Sequence, residues 1–484
     1  CVKLFLMDTL IEKIKKCFGK NADITYQIVR SSNKSATLIF IKCMVDSKLL
    51  NGGIIEEVSS FLDGKNGGAK ELYNNLKMFG NIIEKSKTQV SQIVSQILSG
   101  SLIVCLDDDD NVVALPMKGV EKRAIAEPPT AAVIKGPREG FVEDINTNLG
   151  LIRKRLKTPN FSVIKTNMGK RTQTEIAICY IKGIADKEIV QDILKKLKSI
   201  EIDGIIDSYY VQNMLESKNN KIFKQVGNTE KPDVAVAKML EGRIVLIVDG
   251  SPIVLTVPFI LLESLQTADD YYMFSVKASY VRVIRFLGLI IAISLPGIYV
   301  ALQSYHYSVL PINFLITLMS SIQGISFPPL IEILFVLFLF EILNEASIRM
   351  PKYLGMALSV IGALILGNTA VQAGLITPPS IVVVAISGIT LYIVPDQANE
   401  NSLLRVIFTL AGGIAGFFGI CLCFMIVTTF LADITSFKAP YLSPYAPIVP
   451  QDKQDGLVKK DLMDLKNRPK TIPNHNKIRL KAEK

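Results

Sequence analysis

Residues Phe286–Leu302 read FLGLIIAISLPGIYVAL, an apolar run without a single charge. A run of about 20 apolar residues is the length that crosses a bilayer as a helix. Lys277, Arg282 and Arg285 stand just before it. Cytoplasmic faces carry an excess of Lys and Arg, so these charges place the start of the run in the cytoplasm. Working outward, apolar segments continue at Leu310–Met319, from Pro328-Pro329 to about Ser347, and at Leu354–Leu366, Pro379–Val394 and Leu403–Leu431. Leu310–Met319 is too short to span and reads as re-entrant or interfacial. Prolines 328 and 329 suit the first turn of a helix. So many apolar runs would leave a soluble chain with more apolar surface than it can cover. The fold class follows: an α/β cytoplasmic N-terminal portion ahead of a multi-pass α-helical transmembrane domain of about five to six segments.

The charge pattern leaves one thread loose. Arg349, Lys352 and Arg405 read as cytoplasmic ends, and loops 303–312 and 367–379, which carry no acid or Lys/Arg, fit the outside. Five crossings from a cytoplasmic start would put the tail outside, yet the last 34 residues carry ten Lys and Arg against five acids. Either the glycine-rich last segment (Gly412, Gly413, Gly416, Gly419) folds back, or one span is misread. The tail is expected to be cytoplasmic.

Ahead of residue 286 charges recur in nearly every window, and two stretches repeat. Phe40–Asp46 (FIKCMVD) matches Tyr180–Asp186 (YIKGIAD), and Gly100–Asp107 (GSLIVCLD) matches Gly242–Asp249 (GRIVLIVD), displaced by 140 and 142 residues. Each first element reads as a strand ending in Asp and followed by a helix, and each second element as a hairpin. Asp249-Gly250 suits a two-residue turn before Ile253–Val257. Asp107–Asp110 reads as a solvated turn, since calcium ligands at loop spacing do not follow. Asp192–Ile200 sets Leu194, Leu197 and Ile200 on one helical face. The expected organisation is a first α/β unit at 1–120, a connector at 121–169 and a second unit at 170–260. A juxtamembrane linker at 261–285, the helical domain at 286–432 and a basic tail at 433–484 follow.

The net charge of +10 comes with no nucleic-acid motif, so no nucleic-acid partner is expected. Seven scattered cysteines without a Cys-x-x-Cys spacing speak against a disulfide framework or a zinc site and for a reducing compartment. The stretch after Cys1 lacks a signal-peptide core, and Met7 is the more natural beginning. With two histidines, His306 and His475, and no Walker, Gly-x-Ser-x-Gly or His-Glu-x-x-His pattern, no enzyme activity, cofactor or metal is expected.

The helix from Pro329 to Pro351 is the informative one. Its centre, Ile333–Phe340, is apolar, yet it carries Glu332, Glu341, Asn344, Glu345 and Arg349. A carboxylate in hydrocarbon costs several kcal/mol, so these groups should face protein or water. Glu341, Glu345 and Arg349 form one stripe at i, i+4 and i+8, with Glu332 half a turn away. Glu345 and Arg349 can pair near the surface as an anchor. Glu332 and Glu341 bracket the apolar centre and are candidates for an ion path or an interhelical contact. Glu341→Ala is expected to assemble normally and alter ion release. Gly355, Gly362 and Gly367 allow close packing of the next helix.

Several of these stretches resemble the A subunits of GerA-type spore germinant receptors. They are Glu127–Phe141 (EPPTAAVIKGPREGF), Asn146–Arg155, Glu341–Pro351 (EILNEASIRMP), Gly362–Gly367 with Ala370–Gly374, Pro440–Tyr445 and Asp455–Lys459. Asn344 stands where the family has a basic residue, and Asn368-Thr369 where Gln-Ala is usual. The resemblance implies a multi-pass protein of the spore inner membrane with a cytoplasmic front, acting in nutrient sensing and signal transduction. Its implied partners are a transporter-like B subunit, a lipoprotein C subunit, further copies of itself and membrane lipid. It would be an ion-conducting component coupling germinant sensing to ion release. A sporulation-stage paralogue shares this architecture. A non-conducting scaffold for receptor clusters and a membrane transporter are the alternative readings.

Overall fold

The computed structural model describes the chain outside residues 1, 32–33, 65–67, 77–79, 85–89, 108, 110, 120–132, 134, 218–221, 324, 326, 350–366 and 481–484. Cys1, Asp108, Asp110, Glu127–Ala132, Lys352 and the expected helix Leu354–Leu366, with Gly355 and Gly362, lie outside the described residues. The chain divides into two compact units. One holds residues 1–259, 436–439 and 465–484, and the other 260–435 and 440–464.

The first unit contains two five-stranded sheets built to the same plan. Helix α1 (Val2–Phe18) leads into β1 (Ile24–Arg30) and β2 (Ser35–Ile41), then α2 (Ser47–Leu49), α3 (Ile55–Gly64) and α4 (Ala69–Asn75). Strand β3 (Asn81–Glu84), α5 (Val90–Leu98), β4 (Ser101–Leu106) and β5 (Asn111–Pro116) complete the copy. The second copy runs α6 (Ile145–Arg155), β6 (Phe161–Met168), β7 (Thr174–Ile181), α7 (Lys187–Ser199) and α8 (Ser208–Leu215). It closes with β8 (Gly227–Thr229), α9 (Pro232–Glu241), β9 (Ile244–Val248) and β10 (Val254–Val257). The sheet orders are β1-β2-β4-β5-β3 and β6-β7-β9-β10-β8, a strand-for-strand match.

Strands β4 (SLIVCL) and β9 (IVLIV) sit in the middle of their sheets and are buried along their whole length. Their continuous apolar runs follow from helices on both faces. Alternate residues separate the cores: Leu102, Val104 and Leu106 face α3 and α4, while Ile103 and Cys105 face α1 and α5. In the second sheet Val245 and Ile247 face α6 and α9, and Leu246 and Val248 face α7 and α8. The two repeated aspartates are helix caps. Asp46 accepts the N–H of Lys48 at 2.9 Å and Asp186 that of Glu188 at 2.8 Å, which supplies free N–H groups at a helix start with an acceptor.

Two expectations change in detail. The second copy starts at α6, at Ile145 rather than near residue 170, because α6 buries Asn148 and Arg153 beside its apolar residues and so hides its periodicity. The Asp249-Gly250 turn is longer than two residues, since β10 begins only at Val254. Asp249 Oδ1 instead accepts the Ile145 N–H at 3.2 Å, at the start of α6.

The second unit is helical. It contains α10 (Ser275–Ser304), α11 (Ile312–Ile322), α12 (Pro329–Arg349), α13 (Pro378–Leu391) and α14 (Ala398–Asp433). Among the described residues two helices are long and apolar enough to cross a membrane, Ser275–Ser304 and Pro395–Asp433. The second is not one straight rod. At Gly416 the backbone takes φ 61° and ψ −144°, a conformation open to glycine and strained for other residues. Beyond it the chain turns back on itself. Phe424 packs edge-on against Phe408 at 4.6 Å between ring centroids, although sixteen residues of straight helix would separate them by about 24 Å. A Cβ on Gly419 would meet the Ala411 carbonyl at 2.3 Å. The glycine-rich segment therefore folds back into two arms, 398–415 and 417–433, each about 25 Å long.

The turn is held by the end of α10. The Tyr305 hydroxyl donates to the carbonyls of Gly413 at 3.0 Å and Ile414 at 2.8 Å, which the break leaves without helical partners. Lower down, α10 and the first arm run parallel and touch backbone to backbone: a Cβ on Gly412 would meet the Gly297 carbonyl at 2.4 Å. Gly412→Val is therefore expected to cost about 1–3 kcal/mol through overpacking, read as a lower unfolding temperature of the full chain in detergent.

Candidate functional site

Three polar contacts key α12 to its neighbours. At the first, Glu332 is buried, and its Oε1 accepts the Thr377 N–H at 2.6 Å and the Thr377 hydroxyl at 2.8 Å. Thr377 is the N-cap of α13. Its hydroxyl lies 2.8 Å from that of Ser380, which in turn reaches the Tyr299 hydroxyl of α10 at 3.5 Å. A helix start offers free N–H groups and the positive end of the helix dipole, so a carboxylate is stabilised there without a cation beside it.

Glu341 makes the second contact. Arg405 of the first arm of α14, 0% exposed, donates Nη2 to Glu341 Oε1 at 2.7 Å, and the Ser402 hydroxyl donates to the same oxygen. Arg405 Nη1 donates to Ser387 Oγ at 3.4 Å, and the Ser387 hydroxyl donates to the Ala292 carbonyl at 2.7 Å. One polar chain thus runs from α12 through α14 and α13 to α10. The Arg405 guanidinium also lies over the Phe340 ring, 5.3 Å from its centroid. Its Nε has no acceptor among the described residues.

At the third contact Asn344 Oδ1 accepts the Tyr392 hydroxyl, at the far end of α13. Glu345 and Arg349 stand apart from these contacts. They pair with each other at 2.7 Å on an exposed face, an arrangement worth about 0.3–0.5 kcal/mol. Of the five residues singled out on α12, three meet other helices, while the last two pair with each other. Arg405 is the site residue that sequence reasoning missed. It is the buried partner of Glu341, a role missed because a count of Lys and Arg does not separate a solvated charge from a paired one. The available signal was complementary: one carboxylate and one guanidinium, each in an apolar helix.

A second cluster lies at the start of α10, on residues of the same unit. Asp270 is fully buried and receives Arg282 Nε at 2.9 Å and Arg285 Nη1 at 2.9 Å. Arg282 Nη1 continues to Asp455 Oδ1 at 2.9 Å and to the carbonyl of Gly456 at 2.7 Å. Lys459 Nζ donates to the Asp270 carbonyl at 2.8 Å, and the Tyr271 hydroxyl to Asp455 Oδ2 at 2.9 Å. Burial pushes the Asp270 carboxyl up, but Arg285 and Arg282 outweigh it and hold the group below its ordinary value. A carboxylate lowered in the folded state adds stability that is present above the unfolded value, about 3.9, and is lost as pH falls through the folded one. Hydrogen exchange at 455–460, corrected for intrinsic rate, is therefore expected to be unchanged from about pH 5 to 7 and to rise below about pH 4.

A family model described as Bacillus/Clostridium GerA spore germination protein matches residues 12–471. The chain is 32% identical over 476 residues to spore germination protein KA of Bacillus subtilis (strain 168), a match covering 97% of this chain and 87% of that one. It is 30% identical to spore germination protein GerQA of Bacillus cereus, covering 98% and 94%. It is 33% identical to the uncharacterized membrane protein YfkQ of Bacillus subtilis (strain 168), covering 84% and 79%. The solved N-terminal domain of the A subunit of the Bacillus megaterium spore germinant receptor GerK3 is 26% identical. That match covers 52% of this chain and 94% of that one, with a TM-score of 0.39.

Proposed function

We propose that this chain, which belongs to the Bacillus/Clostridium GerA spore germination protein family, is the A subunit of a nutrient-responsive germination receptor. In this reading it lies in the spore inner membrane and couples nutrient sensing to ion release. The observation that carries the reading is the Glu341–Arg405 pair and the polar chain leading from it across four helices. Ionised groups amid apolar helices are costly and mark ion paths or switching contacts in membrane proteins. Glu341 is half-buried, its side chain 37% exposed, so the pair has one face toward the bundle and one toward the space beside α12.

The helix directions support a multi-pass domain. Helices α12 and α13 run the same way, as the Glu332–Thr377 and Asn344–Tyr392 contacts at their two ends require. Helix α10 and the first arm of α14 run the opposite way, and the second arm returns. The second arm runs opposite to α10, so in this reading the tail emerges on the side where α10 begins. That answers the surplus of basic residues in the tail without placing it outside. A cysteine placed at Met463, 79% exposed, is expected to react with an impermeant thiol reagent only when the cytoplasmic side is open. Labelling from the outer side would refute this topology.

Transporter-like B and lipoprotein C partners and a homo-oligomer of this chain complete the proposed assembly. The test is ion release from spores carrying Glu341 and Arg405 variants that still assemble. Release at the wild-type rate from all of them would favour a non-conducting scaffold.

A further inference from the structure

The tail passes between the two units three times, since 436–439 and 465–484 belong to the first and 440–464 to the second. Each unit grips it separately. In the first, the Ser436 hydroxyl donates to the Gln225 carbonyl at 2.7 Å, Arg468 Nε donates to the Leu240 carbonyl at 2.6 Å, and the His475 N–H donates to the Ile184 carbonyl at 2.9 Å. In the second, Asp455 and Lys459 enter the Asp270–Arg282–Arg285 cluster at the base of α10. We infer that Asp455–Lys459 is a releasable ionic latch on α10, through which a displacement of the front unit reaches the helical bundle.

Three features favour a latch over a permanent anchor. Val458 within the segment and Met463 after it are 63% and 79% exposed, while Asp455 reaches Arg282 and Lys459 reaches Asp270. The hold is therefore polar, although apolar side chains were at hand. Buried ion pairs are weak contributors to net stability compared with apolar packing, yet they specify one arrangement sharply. Such a contact suits an element with two discrete positions. In addition, Arg282 is fully buried and its Nη2 has no acceptor among the described residues, so the guanidinium keeps one donor that this position of the tail does not satisfy. A buried donor without an acceptor is costly and narrows the gap to an alternative arrangement.

The inference rests on the proposed role in ion release, and the test separates the two. Ser279 Oγ lies 2.9 Å from the Lys459 backbone nitrogen and 3.4 Å from its carbonyl oxygen, so Ser279→Cys with Lys459→Cys places two thiols across the latch. The variant is examined in whole spores, oxidised and reduced, beside a deletion strain and Asp455→Asn. The expected result is loss of nutrient-triggered ion release when oxidised and its return on reduction, at a lowered nutrient dose because Lys459→Cys also removes the contact to Asp270, with the bond verified by gel mobility. Asp455→Asn is expected to shift the nutrient dose for half-maximal release about tenfold downward. Normal release from the oxidised, cross-linked protein would overturn the latch, as would an unchanged dose in Asp455→Asn should the bond fail to form. Normal release from the deletion strain would instead overturn the role in germination itself.

Discussion

Glu341→Ala is expected to sharply reduce the amount of chain recovered in the membrane fraction. The substitution strands Arg405, which is fully buried, and leaving a buried donor without its acceptor costs about 1–3 kcal/mol. The loss comes from the desolvated guanidinium left behind more than from the attraction given up. Replacing both members, Glu341→Leu with Arg405→Met, removes the stranded charge and is expected to recover most of the protein. The double variant separates assembly from mechanism: its protein level should approach wild type while its ion release stays impaired. Quantitative blotting of spore membranes checks the first half, and ion release checks the second. Sequence alone suggested that alanine at 341 leaves assembly intact, a view formed without Arg405 as its partner.

The second large effect is expected in the front unit. Arg153 is fully buried and meets Asp23 through two hydrogen bonds, Nε at 2.8 Å and Nη2 at 3.1 Å. It also donates to the carbonyls of Thr158 at 3.1 Å and Phe161 at 3.2 Å, and lies over the Phe161 ring at 4.4 Å. Asp23 precedes β1 of the first copy, and Arg153 belongs to α6 of the second. The pair therefore joins the duplicated halves, aided by the Asn21 side chain on Phe161 and Val163 at 2.6 and 2.9 Å. Asp23→Ala is expected to cost about 3–5 kcal/mol and to lower the unfolding temperature of the full chain in detergent. Asp23→Asn, which keeps an acceptor for one of the two bonds, is expected to cost less. Equal stability for wild type and Asp23→Ala would show that the Asp23–Arg153 pair adds nothing to the hold between the halves.

The duplicated sheets were legible because β2 and β7 each lead into a helix-capping aspartate, in FIKCMVD and YIKGIAD, and because the central strands β4 and β9 are apolar on both faces. Helix α6 was not, because it buries Asn148 and Arg153 and so breaks the apolar periodicity on which such reading depends. The fold-back of α14 was visible as an alternative, in the crowding of Gly412, Gly413, Gly416 and Gly419. The geometry at Gly416, and the use of Tyr305 to satisfy the carbonyls it frees, depends on contacts more than a hundred residues apart. Glu332 and Glu341 stood out as carboxylates in an apolar helix. Their partners did not, since Thr377 acts as a helix start and Arg405 resembles any topological charge until a carboxylate is placed beside it. The aspartate of Asp455–Lys459 gains its meaning only from Arg282, which lies 173 residues earlier.

The most direct test of the central claim is ion flux through liposomes holding the purified chain, with and without B and C partners. The wild type is compared there with the Glu341→Leu, Arg405→Met pair. The account predicts flux that needs the assembly and falls in the paired variant at equal protein content. Absence of flux under every condition, or equal flux from the two proteins, would contradict it.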